Sequence, residues 1–180
     1  MVFYRVLGMA GALDSARLEY FIAEALGCGA GDVSAMVLGG HGEAMLPLFS
    51  SASVKGVAVR DLLSAQQLEA IAARTAHAGA EIVDLLGSGS ALYAPAVCVA
   101  AAVEAVLLDA RRVVACSVLL RGEYGIQGVC LGVPVVLGAG GVVKVVDSIS
   151  LDDAEASQLF KNAHVTREAL RSLLGYPMAD

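Results

Sequence analysis

The fold is decided by residues 113–149, which read VVACSVLLRGEYGIQGVCLGVPVVLGAGGVVKVVDSI. Three apolar runs rich in valine, at 113–120, 129–137 and 142–149, are typical of buried strands. Short glycine-containing segments separate the runs, and the one at 122–128 has the length of a hairpin connection. The pattern predicts three consecutive strands of one antiparallel sheet.

Outside this segment, apolar residues recur mainly at helical spacing. We predict a loop at 8–11, a buried strand at 35–38 and weaker strands within 47–59. The predicted helices are 14–26, 62–86 with a break near Gly79, an alanine-rich helix at 90–107 that is buried on most sides, and 151–174.

Strands and helices occur in runs rather than in strict alternation, which indicates an α+β fold with an antiparallel or mixed sheet packed with long helices. The length predicts one domain over residues 1–180. No GxGxxG joins an early strand to a helix, so we expect no Rossmann domain.

The apolar fraction is high for a free-standing domain. Apolar residues make up 57% of the chain and charged residues 17%, with a mean hydropathy of +0.71. The best candidate for a membrane span, 91–108, is rich in alanine and contains Pro95 and Glu104, which argues against a membrane span. We therefore expect the excess apolar surface to be buried against another domain or in a homo-oligomer.

Charge and cysteine usage exclude further classes. The net charge of −6 and the pI near 5.0, without a Lys/Arg cluster, argue against nucleic-acid binding. The N-terminus shows no signal-peptide pattern, so we expect a cytoplasmic protein. Four cysteines lack the spacing of a metal site and are predicted to be reduced core thiols: Cys28, Cys98, Cys116 and Cys130.

Chemistry is concentrated in two short stretches, residues 13–17 and 39–43. His41 stands between glycines, which let a backbone approach a ligand closely, although such a histidine can also be a simple turn residue. Asp14 and Arg17 are three residues apart and share one helix face. The carboxylate can orient the imidazole and the guanidinium can bind an anionic substrate. The alternative is that Asp14 caps the helix and forms a local ion pair.

The other two histidines, His77 and His164, are predicted to lie on the surface.

These stretches belong to a wider similarity. The chain resembles the C-terminal, substrate-binding half of the lactate/malate dehydrogenase family, most closely the bacterial malate dehydrogenases of lactate-dehydrogenase-like type. Six separated blocks carry the resemblance in order: 6–11 with 13–17, 37–42, 79–83, 89–96, 122–126 and 132–138.

The resemblance implies roles for individual residues. His41 is the catalytic proton donor and acceptor, Asp14 is its catalytic partner, and Arg17 anchors the substrate carboxylate. The remaining implied positions line the substrate (Ser90 and Ala91) or the nicotinamide of the cofactor (Met9, Leu13 and Pro95). Glu43 departs from the family, which usually has Asp there, and this departure affects the fine geometry around His41.

By the same resemblance, the expected function is that of the catalytic domain of an NAD-dependent malate dehydrogenase that interconverts malate and oxaloacetate. The family's NAD-binding half has no counterpart in these residues, so we expect that this chain alone does not bind NADH tightly and needs that half for turnover. A lactate-type 2-hydroxyacid dehydrogenase domain and a non-catalytic oligomerisation module remain alternatives.

Overall fold

The computed structural model describes residues 3–174. In chain order, the helices and strands within this range are α1 (Ala10–Leu26), β1 (Val33–Ser34), β2 (Val37–Gly39), β3 (Met45–Pro47), β4 (Ser53–Val54), β5 (Val57–Ala58), α2 (Val59–Leu62), α3 (Ala65–Leu86), α4 (Tyr93–Leu107), β6 (Arg112–Arg121), β7 (Gln127–Gly138), β8 (Gly141–Val145) and α5 (Asp153–Leu174).

The predicted α+β fold with an antiparallel sheet is confirmed. Strands β3, β2, β7 and β6 lie side by side in this order, and β8 also pairs with β7. Every pairing in this sheet is antiparallel. The three predicted strands are β6, β7 and β8, although the last ends at Val145 instead of residue 149. A second, three-stranded sheet is formed by β1, β4 and β5.

Two hydrophobic clusters stabilise the domain. One lies between the large sheet and the helices α4 and α5, and includes Leu120, Leu131 and Leu159. The other is formed around α1, with Leu18 and Ile22 fully buried, and extends to α3 and the small sheet. Helix α1 therefore lies against both sheets, and this position determines the site described below.

Helix α1 begins earlier than predicted. The loop expected at 8–11 ends at Met9, and Ala10 and Gly11 already belong to the helix. Gly11 is buried against β6, where an added Cβ would lie 2.9 Å from the carbonyl oxygen of Ala115. The glycine is thus required by close packing between helix and strand and not by a turn.

We expect Gly11→Val to lower the free energy of unfolding by about 1–3 kcal/mol, because the added side chain must displace the β6 backbone. Gly79→Ala is the matched control in α3, since its Cβ would meet only Arg17 at 3.7 Å, an ordinary contact. Removing a mid-helix glycine should stabilise by about 0.5–1 kcal/mol. Urea unfolding monitored by circular dichroism measures both changes, and equal midpoints for the two variants would contradict the packing argument.

Helix α3 corrects the prediction of a break near Gly79. The helix continues without interruption from Ala65 to Leu86, and the residues before it form the separate short helix α2. Its start is fixed by a capping box between Ser64 and Gln67. The packing of α3 along α1 outweighs the low helix propensity of a single glycine.

Helix α4 corrects the expectation of burial on most sides. It begins at Tyr93 instead of residue 90, and only Ala102 and Ala105 along it are buried. Large apolar side chains on its outer face are half exposed or more: Tyr93, Val97, Val103 and Leu107. No helix within residues 3–174 combines the length and the apolar character needed to span a bilayer.

The cysteine prediction is correct only in part. All four thiols are free, but Cys116 alone is fully buried, Cys28 and Cys98 are half-buried and Cys130 is exposed. The reason for Cys130 is strand alternation, because its neighbours Val129 and Leu131 point into the core.

Candidate active site

Helix α1 presents Asp14 and Arg17 on one face. Asp14 is the fifth residue of the helix, since the helix begins at Ala10 and its N-cap position is Met9. The alternative interpretation of Asp14 as a helix cap is therefore wrong. The local ion pair does form, with Arg17 Nη1 3.4 Å from Asp14 Oδ1.

The connection between β2 and β3 presents His41. Gly39 and Gly42 adopt φ angles of +81° and +70°, a region that favours glycine. The amide of Gly40 donates to the carbonyl oxygen of Ala44 at 2.9 Å and closes the turn. His41 itself has extended backbone angles, and 55% of its side chain is exposed.

The two elements bring Asp14 and His41 into contact across 27 residues of sequence. Asp14 Oδ2 lies 2.7 Å from His41 Nδ1. A carboxylate only accepts hydrogen bonds, so Nδ1 carries a proton and donates a hydrogen bond to Asp14. The remaining ring nitrogen, Nε2, is then the one that can exchange a proton with a ligand.

Burial dominates the electrostatics of this pair. The Asp14 side chain is completely buried (0% exposed), and burial raises the pKa of its carboxyl above the ordinary value of 3.8. The hydrogen bond from His41 and the positive charges of His41 and Arg17 act in the opposite direction and partly offset this rise. The charged form of Asp14 is thus maintained by its two partners against the cost of desolvation.

Two side chains that the sequence interpretation missed join α1 to the segment before His41. Ser15 Oγ accepts a hydrogen bond from the amide of Val37 at 2.9 Å. Glu19 Oε1 accepts one from the amide of Ala35 at 3.2 Å, and burial raises the pKa of this carboxyl. Ser15 and Glu19 are four residues apart and therefore share one helix face, beside Asp14. This spacing of polar residues is the pattern in the sequence that indicates a contact between the helix and a strand.

Arg17 has unused hydrogen-bonding capacity. Its side chain is 11% exposed, and its Nε is buried without a hydrogen-bond partner in residues 3–174. Such an orphaned donor is costly unless a ligand completes it. An anionic group that reaches the guanidinium could accept from Nε and one terminal nitrogen together.

A cleft of about 520 Å³ adjoins Arg17 between α1, α3 and α4. Leu13 and Tyr20 line it from α1, Ile82 from α3, and Val97 and Cys98 from α4. The cleft is mostly apolar, which suits a small substrate held by one charged anchor.

A second arginine of the cleft, Arg74, is fully engaged. It forms ion pairs with Glu24 and Glu81, and its guanidinium lies 4.2 Å from the centre of the Phe21 ring. The two arginines therefore differ in kind, since one is satisfied by the protein and the other retains a buried donor.

Of the other predicted site residues, Leu13 lines the Arg17 cleft and the remaining four do not. Met9 is half-buried and lines a separate apolar cleft with Leu7 and Val103. Ser90 is exposed and precedes α4, whereas Pro95 is in its first turn. Ser90, Ala91 and Pro95 are not among the residues that line the Arg17 cleft, although Ala94 is. Their roles, like those of Met9 and Leu13, remain predictions.

A dinucleotide needs a phosphate-binding turn before a helix, and a metal ion needs a cluster of ligating side chains. The described residues near this site provide neither. The glycine-rich turn at 138–141 joins two antiparallel strands, β7 and β8, so it differs from the strand–turn–helix cradle that holds a pyrophosphate. Leu13 offers only an apolar contact at the edge of the cleft. The residues at this site do not by themselves fit a whole dinucleotide. No group of three or more His, Cys, Asp or Glu within 3–174 is arranged to hold a metal ion.

Solved structures share this architecture. Malate dehydrogenase from Salinibacter ruber superposes with a TM-score of 0.91 at 43% identity, covering 96% of this chain and 56% of that chain. Lactate dehydrogenase from Cryptosporidium parvum, complexed with lactic acid and nicotinamide adenine dinucleotide, gives a TM-score of 0.91 at 37% identity, covering 97% and 56%.

Curated relatives are similar in sequence. Malate dehydrogenase 1 of Anaeromyxobacter dehalogenans is 49% identical over 166 residues, which cover 92% of this chain and 53% of the relative. Malate dehydrogenase of Thermomicrobium roseum is 48% identical over 169 residues, or 94% and 54%. The chain spans about half the length of the curated relatives it matches.

The family model of the lactate/malate dehydrogenase alpha/beta C-terminal domain matches residues 11–173. The chain therefore belongs to the lactate/malate dehydrogenase family and corresponds to its C-terminal domain. The resemblance inferred from the sequence is confirmed.

Proposed function

We propose that residues 1–180 act as the substrate-binding and catalytic domain of an NAD-dependent malate dehydrogenase, which interconverts malate and oxaloacetate. The observation that carries the proposal is the hydrogen bond between His41 and buried Asp14. Arg17, whose Nε has no hydrogen-bond partner in residues 3–174, lies one helical turn after Asp14 on α1. A proton donor and an anion anchor, here both in contact with Asp14, are what the reduction of a 2-keto acid requires from the protein.

The chemistry follows from these three side chains. Arg17 binds a carboxylate of oxaloacetate through its fork and so holds the carbonyl near His41. His41 Nε2 donates its proton to the carbonyl oxygen during reduction and takes it back from the malate hydroxyl during oxidation. Asp14 holds the ring in the tautomer that this exchange needs. NADH, with its nicotinamide against Met9, Leu13 and Pro95, would supply the hydride for this reduction.

The same proposal assigns the surrounding positions. Ser90 and Ala91 contact substrate. Met9, Leu13 and Pro95 contact the nicotinamide ring, while a nucleotide-binding domain holds the rest of the cofactor. The position of Leu13 on the wall of the Arg17 cleft supports this arrangement. The exposed apolar face of α4 supports association into a homo-oligomer, and the free thiols are consistent with the reducing cytoplasm.

The test is a chimera in which this chain replaces the matching 166-residue stretch of malate dehydrogenase 1 of Anaeromyxobacter dehalogenans. We expect NADH oxidation with oxaloacetate and much slower oxidation with pyruvate. Faster turnover of pyruvate would favour the lactate-type alternative, which the similarity to the Cryptosporidium parvum enzyme supports. A folded chimera without activity toward either acid would contradict the proposal and favour the oligomerisation module.

In this chimera, Arg17→Lys should raise KM for oxaloacetate about 10- to 100-fold, because a point charge cannot replace hydrogen bonds from a planar fork to a carboxylate. Arg74→Lys is the matched control from the same cleft. Its guanidinium is already paired with Glu24 and Glu81, so KM should change less than about twofold, within the small effect of exposed ion pairs. Similar KM values for both variants would mean that Arg17 binds no substrate.

A further inference from the structure

The turn that carries His41 is held from the far end of the chain. We call residues 40–44 the His41 turn. Asn162, on α5, donates from Nδ2 to the carbonyl oxygen of Ala44 at 2.8 Å. That same oxygen accepts the turn-closing hydrogen bond from the amide of Gly40. One carbonyl thus joins the two ends of the turn and fixes both to a helix 118 residues away.

The amide of Asn162 is held in one place and one orientation. The residue is only 5% exposed, and its Oδ1 accepts a hydrogen bond from Gln158 Nε2 at 3.2 Å. Because Oδ1 is occupied in this way, Nδ2 faces the Ala44 carbonyl. A Cβ added to Gly39 would clash with Asn162 Nδ2, so the strand end and the amide are in direct contact.

From these contacts we propose that Asn162 is a positioning residue for His41: its side-chain amide holds the His41 turn in the geometry that keeps the imidazole against Asp14. The proposal rests on the proposed function for its catalytic consequence, but its structural part concerns this chain alone. Asn162 lies outside the blocks that indicated the family, and it acts on His41 through the backbone of the turn.

The first experiment measures hydrogen exchange of the Gly40 amide in the full chain by NMR. Asn162→Asp keeps the shape of the side chain but replaces the donor by an acceptor facing a carbonyl oxygen. We expect this amide to exchange about 10- to 100-fold faster than in the wild type, the factor that corresponds to one lost buried hydrogen bond.

The control is Glu155→Ala on the same helix. Glu155 is buried and accepts hydrogen bonds from the Ser50 amide and hydroxyl, on a segment that follows β3 and lies outside the His41 turn. Its loss should lower the melting temperature while leaving Gly40 exchange within about twofold of the wild type, below the effect of one hydrogen bond. Equal Gly40 exchange in the wild type and Asn162→Asp would overturn the proposal.

The second experiment measures kinetics in the chimera. Asn162→Asp should lower kcat about tenfold with KM for oxaloacetate unchanged, because the anchor Arg17 is not affected, and Glu155→Ala should leave kcat unchanged below its melting temperature. Equal losses of kcat in both variants would reduce Asn162 to a general stabilising residue and overturn its positioning role.

The two hypotheses can fail separately. An inactive wild-type chimera rejects the proposed function, while Gly40 exchange in the chain still decides whether Asn162 holds the turn. Should Asn162→Asp not fold, Gln158→Met removes the donor that orients the amide. It should then accelerate Gly40 exchange severalfold, and unchanged exchange would contradict the proposal.

Discussion

His41→Gln in the chimera is expected to lower kcat for oxaloacetate reduction by about 10²- to 10⁴-fold, the range that positioned proton transfer contributes. KM should change little, because the proposed function assigns substrate binding to Arg17. Glutamine keeps a polar side chain on the turn but cannot exchange a proton near neutral pH. Steady-state kinetics with saturating NADH measure the effect.

The control for this substitution is His77→Gln. His77 is an exposed histidine on α3, and its Nδ1 contacts the Ala73 carbonyl oxygen of its own helix. Its replacement should leave kcat and KM as they are in the wild type. A chimera that retains more than about a tenth of its kcat after His41→Gln would show that another group transfers the proton.

Asp14→Asn should reduce kcat on the order of 10³- to 10⁴-fold, the scale found where a carboxylate fixes the tautomer of a catalytic histidine. The amide introduced at this position would present a donor or an acceptor to His41 Nδ1, so the ring could reverse its tautomer. The test is to measure kcat of both proteins across about pH 6–9. A decrease in kcat of only a few-fold would mean that the carboxylate has a purely structural role.

The same substitution should not destabilise the chain at neutral pH. Burial raises the pKa of Asp14, so the folded chain binds its proton more tightly than the unfolded chain does. The stabilisation from this carboxyl is fully present below its ordinary pKa of 3.8 and is lost as pH rises through the raised value. At neutral pH the wild type therefore carries a cost of ionisation that an amide lacks.

Thermal unfolding at several pH values measures this cost. The melting temperature of Asp14→Asn should equal or exceed that of the wild type at about pH 7, and its advantage should shrink as pH falls toward about 4. A variant that melts below the wild type at neutral pH and matches it in acid would reverse the sign and refute the argument.

The large sheet could be predicted because its strands are long, apolar and consecutive. Valine-rich runs bounded by glycines indicated β6 and β7 within two residues at each end. The start of α1 could not be predicted in this way. Gly11 is typical of a loop in local sequence, and only contact with Ala115 across the fold makes a glycine necessary inside a helix.

Asp14, Arg17 and His41 were identifiable from spacing and residue type, and the structure brings them together. The exposure of α4 was not identifiable, because apolar composition is the same whether a helix is buried within its own domain or faces another one. Asn162 had no local signal at all. Its contact with Ala44 joins residues 118 positions apart, and nothing in the sequence near either one indicates it.

The hydrogen bonds between α1 and the strand before His41 affect which parts of such a domain can change between related sequences. Hydrogen bonds to Ser15 and Glu19 hold the strand before His41 against α1, which carries Asp14. The wall of the cleft opposite Arg17 is formed by α3 and α4. The Asp14–His41 contact therefore depends on α1 and the strand before His41, whereas α3 and α4 supply only the far wall of the cleft. Under the proposed function, substitutions along α3 and α4 would change the shape of the cleft without touching the Asp14–His41 contact.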